Sequence, residues 1–539
     1  MVFRGIIALI STRIPCSGMI PAAEKVTSLV GAAFFRQASS ITDATRNRTL
    51  TAATMEPTRR DADHSTGKRT IEAAKGEWRS FWITVFMAGL SVVLMFLPTP
   101  AGLSVAGQRV LAVAVMAIGL WCTDAIPAAV TGILLVIALV LSGGVPGFPE
   151  ALVGFAEPVA YFLIGVLTIG LAVLRSGLAE RVARFFLRRC QGSSRALYLQ
   201  MLLSFPLLTF LLPSATTRTG ILVFVYEQAL DLGHVPRGAP LAKAIMLALN
   251  SINRLASTVL LTGGITPVLA ASLIGGISWG RWLMLMCVPY AVLLALGAVL
   301  IYLLYRKGFD LPLTPLPAAE PKSLSGKEIR TLVITIGASL LWLTDAWHHW
   351  NPALPAILAW ACLLTPGIGV LAWKEFEKGF GWANFFVLAS SLSLARALGS
   401  SGASAWIAEI IVRGMPAFSQ QPALVVIALL LAAAPVRLLI PNITGFLATT
   451  IPIAMSIGAA TGLNPVICGL AVMIAGDAVL YYPAQSASSL VVYERGHLTA
   501  AEIFFFGLWM TLVAYLVVMF VALPWWTAVG EPLRLISCG

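Results

Sequence analysis

Apolar runs of roughly 20 residues recur from about residue 80 almost to the C-terminus. No other feature constrains this chain as much, because a helical run of that length matches the hydrocarbon thickness of a bilayer. Inside hydrocarbon every backbone N–H and C=O must be paired within the protein, so such runs are read as helices. Charged residues make up 11% of the 539 positions, against about 25% in soluble domains. The chain therefore reads as an all-α polytopic membrane protein, with the lipid bilayer as its first partner.

Spans are expected near 80–98, 107–124, 126–143, 157–178, 240–272, 281–305, 331–347, 352–371, 381–400, 463–493 and 500–527. Two further segments, 196–231 and 421–461, are about twice a span's length. Polar residues break both at the centre, in LLPSATTRTG at 211–220 and LIPNITGFLA at 439–448. Charge decides how they are counted. If each is a re-entrant hairpin, the other eleven spans place 22 Lys and Arg on one face and only Arg109, Arg281, Arg413 and Arg534 on the other. The positive-inside rule then puts the N-terminus in the cytoplasm and the C-terminus outside. It also accounts for the net charge of +12 without nucleic acid. A plasma or bacterial inner membrane follows, or an organellar one if residues 1–54 are a presequence; Met55 is an alternative start. Residues 1–78 as a whole read as a basic, disordered tail.

The chain repeats itself. LWCTDAIP at 120–127 is echoed by LWLTDAWH at 341–348, and the stretch from Gly154 by that from Gly379. The two broken segments match next, and each is followed by a span with its own polar break, LTGGITP at 261–267 and YYPAQSASS at 481–489. An odd number of spans separates the copies, so the halves are inverted in the membrane, an architecture of secondary transporters. Expected units are 79–195, 196–305, a loop at 306–330, 331–420 and 421–530.

A broken helix persists in hydrocarbon only where it lines a cavity or is buried in protein. At both tips Ser, Thr or Asn precedes a new helix, expected from about Thr217 in the first copy and after Asn442 in the second. Such an N-terminus offers unpaired N–H donors and about half a positive charge, which suits an anion. The expected cup contains Ser214, Thr216, Thr217, Asn442 and Thr444, completed by Thr266, Pro267, Gln485 and Ser486 from the two breaks. Unwound carbonyls and hydroxyls there can also hold Na⁺, with Ser214, Thr262, Gly263, Asn442, Ala484 and Ser486 as candidate ligands. Arg218 is the leading fixed counter-charge, with Asp477 or Glu227 as its structural alternatives. Arg254 and Asp477 read as structural, Arg437 faces either water or protein, and Asp124 and Asp345 read as helix caps.

The segment 177–190 alternates arginines with Val182, Phe185 and Phe186, as a helix lying in the membrane interface does. Five histidines and seven scattered cysteines form no metal-ligand or disulfide spacing, and no nucleophile–base constellation suggests an enzyme or a resident cofactor.

These motifs resemble the divalent-anion:sodium symporter family, in its branch of citrate and dicarboxylate carriers and plastid dicarboxylate translocators. Its paired Ser-Asn-Thr signature is echoed by Ser214-Ala215-Thr216 and Asn442-Ile443-Thr444, and PSATTR is similar to the branch's PSNTAR, which carries Arg218. Residues 257–273 and 481–507 resemble the family's two broken helices. The resemblance implies a homodimer moving di- or tricarboxylates or sulfate by an elevator, often with Na⁺. Where the family has the motif Asn, this chain has Ala215 and Ile443, so Na⁺ symport, proton coupling and exchange all stay open. A metalloid-oxyanion or Na⁺/H⁺ carrier is the alternative.

Overall fold

The computed structural model describes residues 59–187, 192–212, 214–310, 313, 323–414 and 421–534; the suggested presequence lies outside them. Contacts divide the chain into Met1–Trp78 and Arg79–Gly539. Within the first unit the described residues belong to the helix Arg59–Phe96. Everything below concerns the second.

Apart from one isolated bridge between Leu463 and Arg534, the regular elements among the described residues are helices. Eight are long and apolar enough to cross a membrane. Several expected spans are shorter than their apolar runs, for local reasons. The run at 352–371 yields the helix Ala353–Leu364, because Pro366 disfavours helical geometry in the residue before it. The run at 126–143 yields Ala128–Leu141, bounded by Pro127 and by Ser142-Gly143. Gly326–Leu343 and Trp382–Ser400 have spanning length but carry polar and charged residues; three of the eight are arms of the two broken segments, so by length and composition alone five of the expected eleven are recovered.

The two broken segments form four arms of equal length. Ser194–Leu211 and Ala215–Leu232 flank the first tip, Pro422–Leu439 and Ile443–Ala460 the second, each 18 residues long. At 1.5 Å per residue an arm is about 27 Å long. Each first arm contains a proline, Pro206 or Pro435.

The next span of each copy is interrupted where expected. In the first, Pro240–Leu247 runs through a π-helical segment, Ala248–Ile252, into Asn253–Ala256, and the helix resumes at Ile265–Ile274. A Cβ on Gly263 would lie 1.9 Å from the carbonyl oxygen of Ser257, so the chain folds back on itself there only because residue 263 has no side chain. In the second, Pro465–Asp477 stops, and the helix resumes at Ala487–Tyr493 after a short turn at Pro483–Gln485.

Burial separates two large cores. One joins Val110, Leu120, Leu135 and Leu139 to Leu394 and Leu398; the other gathers the arms, the broken helices and the spans after them. Where the expected interfacial helix begins, Leu178–Leu187 forms, and Arg181 bonds Glu328 at 2.7 Å. Asp345 does cap a helix, though not its own: its Oδ2 accepts the N–H of Gly280 in the first turn of Trp279–Leu304 at 3.0 Å. Asp124 closes its helix in a left-handed conformation, φ 47°.

Candidate anion-binding site at two helix tips

The first tip helix starts at Ala215, two residues earlier than expected, because the Ser214 side chain caps it. Ser214 Oγ accepts the Thr217 N–H at 3.3 Å and the Thr217 hydroxyl at 3.0 Å. With both lone-pair roles used, the Ser214 O–H proton remains available as a donor. At the second tip Asn442 Oδ1 accepts the Thr444 N–H at 3.0 Å and the Thr444 hydroxyl at 2.6 Å. That fixes the amide orientation and leaves Nδ2, a double donor, without a hydrogen bond. The N–H groups of Ala215, Thr216 and Ile443 have no intrahelical acceptor, as first-turn groups do not. Accessibility is retained in both places: Thr216 is exposed, and Ser214, Ala215, Thr217, Asn442 and Ile443 are half-buried. Each tip thus concentrates donors and the positive end of a helix dipole.

A tip also contains the opposite pole, the carbonyl end of the preceding arm. Buried arginines occupy it. Arg218, fully buried, donates from Nη1 to Leu212 O at 2.9 Å, from Nε to Asn253 Oδ1 at 2.5 Å, and from Nη2 to Asn253 O and Ser257 Oγ at 2.6 and 2.7 Å. Neither Asp477 nor Glu227 pairs with it; Glu227 faces Arg495 at 3.4 Å. Arg437 is 1% exposed, which settles it on the protein side. It donates from Nη1 to Ile440 O and Pro441 O, both at 2.7 Å, and from Nε to Gly476 O at 3.1 Å. The carbonyls just before Ile440 are satisfied too: Gln485 Nε2 donates to Arg437 O at 2.8 Å, the Tyr482 hydroxyl to Leu438 O at 3.2 Å, and the Cys122 thiol to Leu439 O at 2.7 Å. The negative pole of the second hairpin is therefore covered by donors from three separate parts of the chain.

A third arginine links the copies. Arg254 Nη1 donates to Asp477 Oδ1 at 2.8 Å and its Nη2 to the Asp477 backbone oxygen. Asp477 Oδ2 accepts the hydroxyls of Thr258 and Tyr290 at 2.7 and 3.0 Å. Each of these two residues reads as structural in the sequence, and the geometry pairs them with each other. Because Asn253 adjoins Arg254 and Gly476 adjoins Asp477, one polar network runs unbroken from Leu212 at the first tip to Pro441 at the second. It holds three guanidinium groups and, among the described residues, one carboxylate.

The breaks contribute unequally. Gln485 is 5% exposed and used at both ends, its Oε1 accepting the Tyr481 N–H at 2.7 Å, so it holds the break together. Ser486 hydroxyl shares a hydrogen bond with Ser488 at 2.8 Å, and Ala484 is exposed. Thr262 Oγ1 accepts Trp279 Nε1 at 3.4 Å; Thr266 is half-buried and Pro267 buried. Asn253, Ser257, Thr258, Tyr290, Tyr482 and Cys122 were missed from sequence. Asn253 beside Arg254 in an apolar run was the one signal that could have raised suspicion. A tyrosine or cysteine within an apolar helix gives none.

Residues 77–531 match the family model described as the sodium:sulfate symporter transmembrane region. The chain belongs to that family. It is a membrane transport protein, similar to the chloroplastic dicarboxylate transporter 2 of Spinacia oleracea, with 23% identity over 83% of this chain and 82% of that protein. It is also similar to the L-tartrate/succinate antiporter of Escherichia coli K12, with 24% identity over 70% of this chain and 80% of that protein. Among solved structures, the YdaH transporter of Alcanivorax borkumensis aligns over 85% of this chain and all of its own, with a TM-score of 0.47 and 15% identity.

Proposed function

We propose that this symporter-family protein is a secondary active transporter of small divalent anions, with di- and tricarboxylates as substrates, held between the two tips. The observation that carries the reading is the pairing of two capped helix N-termini, one from each repeat, on a single buried network whose charge is positive. The names of the relatives agree with it. One carboxylate binds the Ser214 hydroxyl and the N–H groups of Ala215 and Thr216, beside Thr217. The other binds Asn442 Nδ2 and the N–H of Ile443, beside Thr444. Thr266, Pro267, Gln485 and Ser486 shape the walls.

Arg218 acts as a fixed positive charge behind the first tip rather than through direct contact, since four of its five N–H groups are engaged with protein acceptors. If Na⁺ is co-transported, it binds Ser214, Asn442, Ser486 and the unwound backbone at Thr262, Gly263 and Ala484. If not, one dianion exchanges for another.

In this reading 196–305 and 421–530 move as elevators against 79–195 and 331–420 in a homodimer, with 306–330 as a cytoplasmic loop joining the repeats. The N-terminus lies in the cytoplasm and the C-terminus outside, in a bacterial inner membrane. Trp121 and Cys122, which touch the second tip, lie on the boundary between the moving and fixed parts.

The test is uptake into proteoliposomes of succinate, malate, tartrate, citrate, sulfate and arsenite, with and without Na⁺ and with and without internal dianion. Saturable uptake of a dicarboxylate supports the reading. Uptake of only sulfate or arsenite, or proton-coupled Na⁺ movement without an organic anion, overturns it. Dependence on Na⁺ or on internal dianion separates symport from exchange.

A further inference from the structure

We infer that Arg437, and not Arg218, is the guanidinium that touches the substrate, presenting its Nη2 amino group to a carboxylate at the second tip. The inference deepens the reading of the site as a dianion site and rests on it. The three buried arginines differ in what they leave free. Arg218 has four N–H groups committed to Leu212, Asn253 and Ser257. Arg254 is held against Asp477 by both amino groups, which leaves only its Nε without a partner. Arg437 commits Nε and Nη1 to Gly476, Ile440 and Pro441. Its Nη2 makes no hydrogen bond and, unlike Arg254 Nε, is not sealed from solvent, although the residue as a whole is only 1% exposed.

An uncommitted amino group on a buried cation is costly unless a ligand or water completes it. Its position says which ligand. Nη1 of the same guanidinium is bonded to Pro441 O, and the next residue, Asn442, has the unengaged Nδ2. Two free amino donors therefore flank one peptide unit at the accessible tip. A carboxylate can accept from both, which a neutral ligand would do more weakly. Charge agrees: three guanidinium groups and one carboxylate leave a surplus of two on the network, which a dianion cancels. Arg437 also needs no acidic partner to stay in place, because carbonyl oxygens hold two of its three nitrogens and Phe446 lies below its plane, 6.0 Å from the guanidinium carbon.

Equilibrium binding of succinate to the purified full chain tests this, with Arg437→Lys, Arg437→Gln and Arg218→Lys as variants and thermal stability as the control. Lysine keeps the charge and can still reach carbonyls, but has no second amino group. The expected result is a dissociation constant raised about 10- to 100-fold in folded Arg437→Lys, as for loss of one charge-assisted hydrogen bond. Arg218→Lys keeps the fixed charge behind the first tip and loses hydrogen bonds to Leu212, Asn253 and Ser257, so it is expected to lower stability and to raise the constant less than Arg437→Lys does; a larger rise than in Arg437→Lys counts against the inference. A folded Arg437 variant that binds succinate within threefold of the wild type overturns the inference. If neither variant folds, a cryo-EM map of the wild type with succinate decides. A ligand oxygen within hydrogen-bond distance of Arg437 Nη2 supports the inference; one bonded to Arg218 instead overturns it. Failure of the wild type to bind any dianion would count against the proposed function itself.

Discussion

The Arg254–Asp477 pair gives the most quantitative prediction, since both ends are buried and their partners are defined. Asp477 is 1% exposed and accepts three side-chain hydrogen bonds, from Arg254, Thr258 and Tyr290. Asp477→Ala removes both acceptor oxygens, and with them all three bonds, and strands a buried guanidinium. Removing one partner of a buried pair costs about 3–5 kcal/mol, and the value here belongs at the upper end, about 4–5. Arg254→Met leaves Asp477 with the Thr258 and Tyr290 hydroxyls still donating, so about 3 kcal/mol is expected. Arg254→Met with Asp477→Ala removes both charges together. It should cost less than the sum of the single changes by about 2 kcal/mol or more, as contacting residues couple. Equilibrium unfolding in mixed micelles, followed by tryptophan fluorescence, measures all four corners of the cycle. If the single changes add to within about 0.5 kcal/mol, or Asp477→Ala costs less than about 1 kcal/mol, the two broken helices are not tied by this pair and the reasoning fails.

Three further outcomes follow from other contacts. Gly263→Ala would place a methyl group 1.9 Å from Ser257 O, a backbone atom that cannot yield, and should cost at least about 3 kcal/mol with loss of transport, read by unfolding and uptake. Gly445→Ala would bring a Cβ to 2.6 Å from the Trp121 ring; an overpacking penalty of about 1–3 kcal/mol is expected, seen as a lower melting temperature that Trp121→Leu partly restores. Glu328, in the first turn of Gly326–Leu343, is held down to about 2 by the hydrogen bond from Arg181 and by the Ser325 N–H. A depressed carboxylate stabilises the fold above its ordinary value of about 4.5 and loses that contribution as pH falls toward 2. The wild type should therefore lose stability more steeply than Glu328→Gln between pH 5 and 3, by about 1 kcal/mol after allowance for the partly exposed Arg181; equal slopes would refute the assignment.

Much of the architecture could be read before any coordinates. Apolar run length located most helices, and the polar tips at 211–220 and 439–448 marked both breaks, because side chains that cap helix N-termini are few and local. Ser214 and Asn442 cap helices within three residues of themselves, so sequence spacing was enough to find them. The breaks read at 261–267 and 481–489 were legible through Gly263-Gly264 and Pro483, because glycine and proline interrupt a helix locally.

The roles of the arginines were not. Arg218, Arg254 and Arg437 all stand in apolar surroundings, and sequence ranked them by distance from a tip. Their work depends on acceptors 3 to 223 positions away, from Ile440 beside Arg437 to Asp477 opposite Arg254, and on which N–H groups those acceptors consume. A guanidinium has five donors in a fixed plane, and only the packing of the two repeats against each other decides how many remain for a ligand. Local capping and apolar length are properties of the chain itself. The assignment of two buried charges to carbonyl ends and of a third to an aspartate belongs to the tertiary structure.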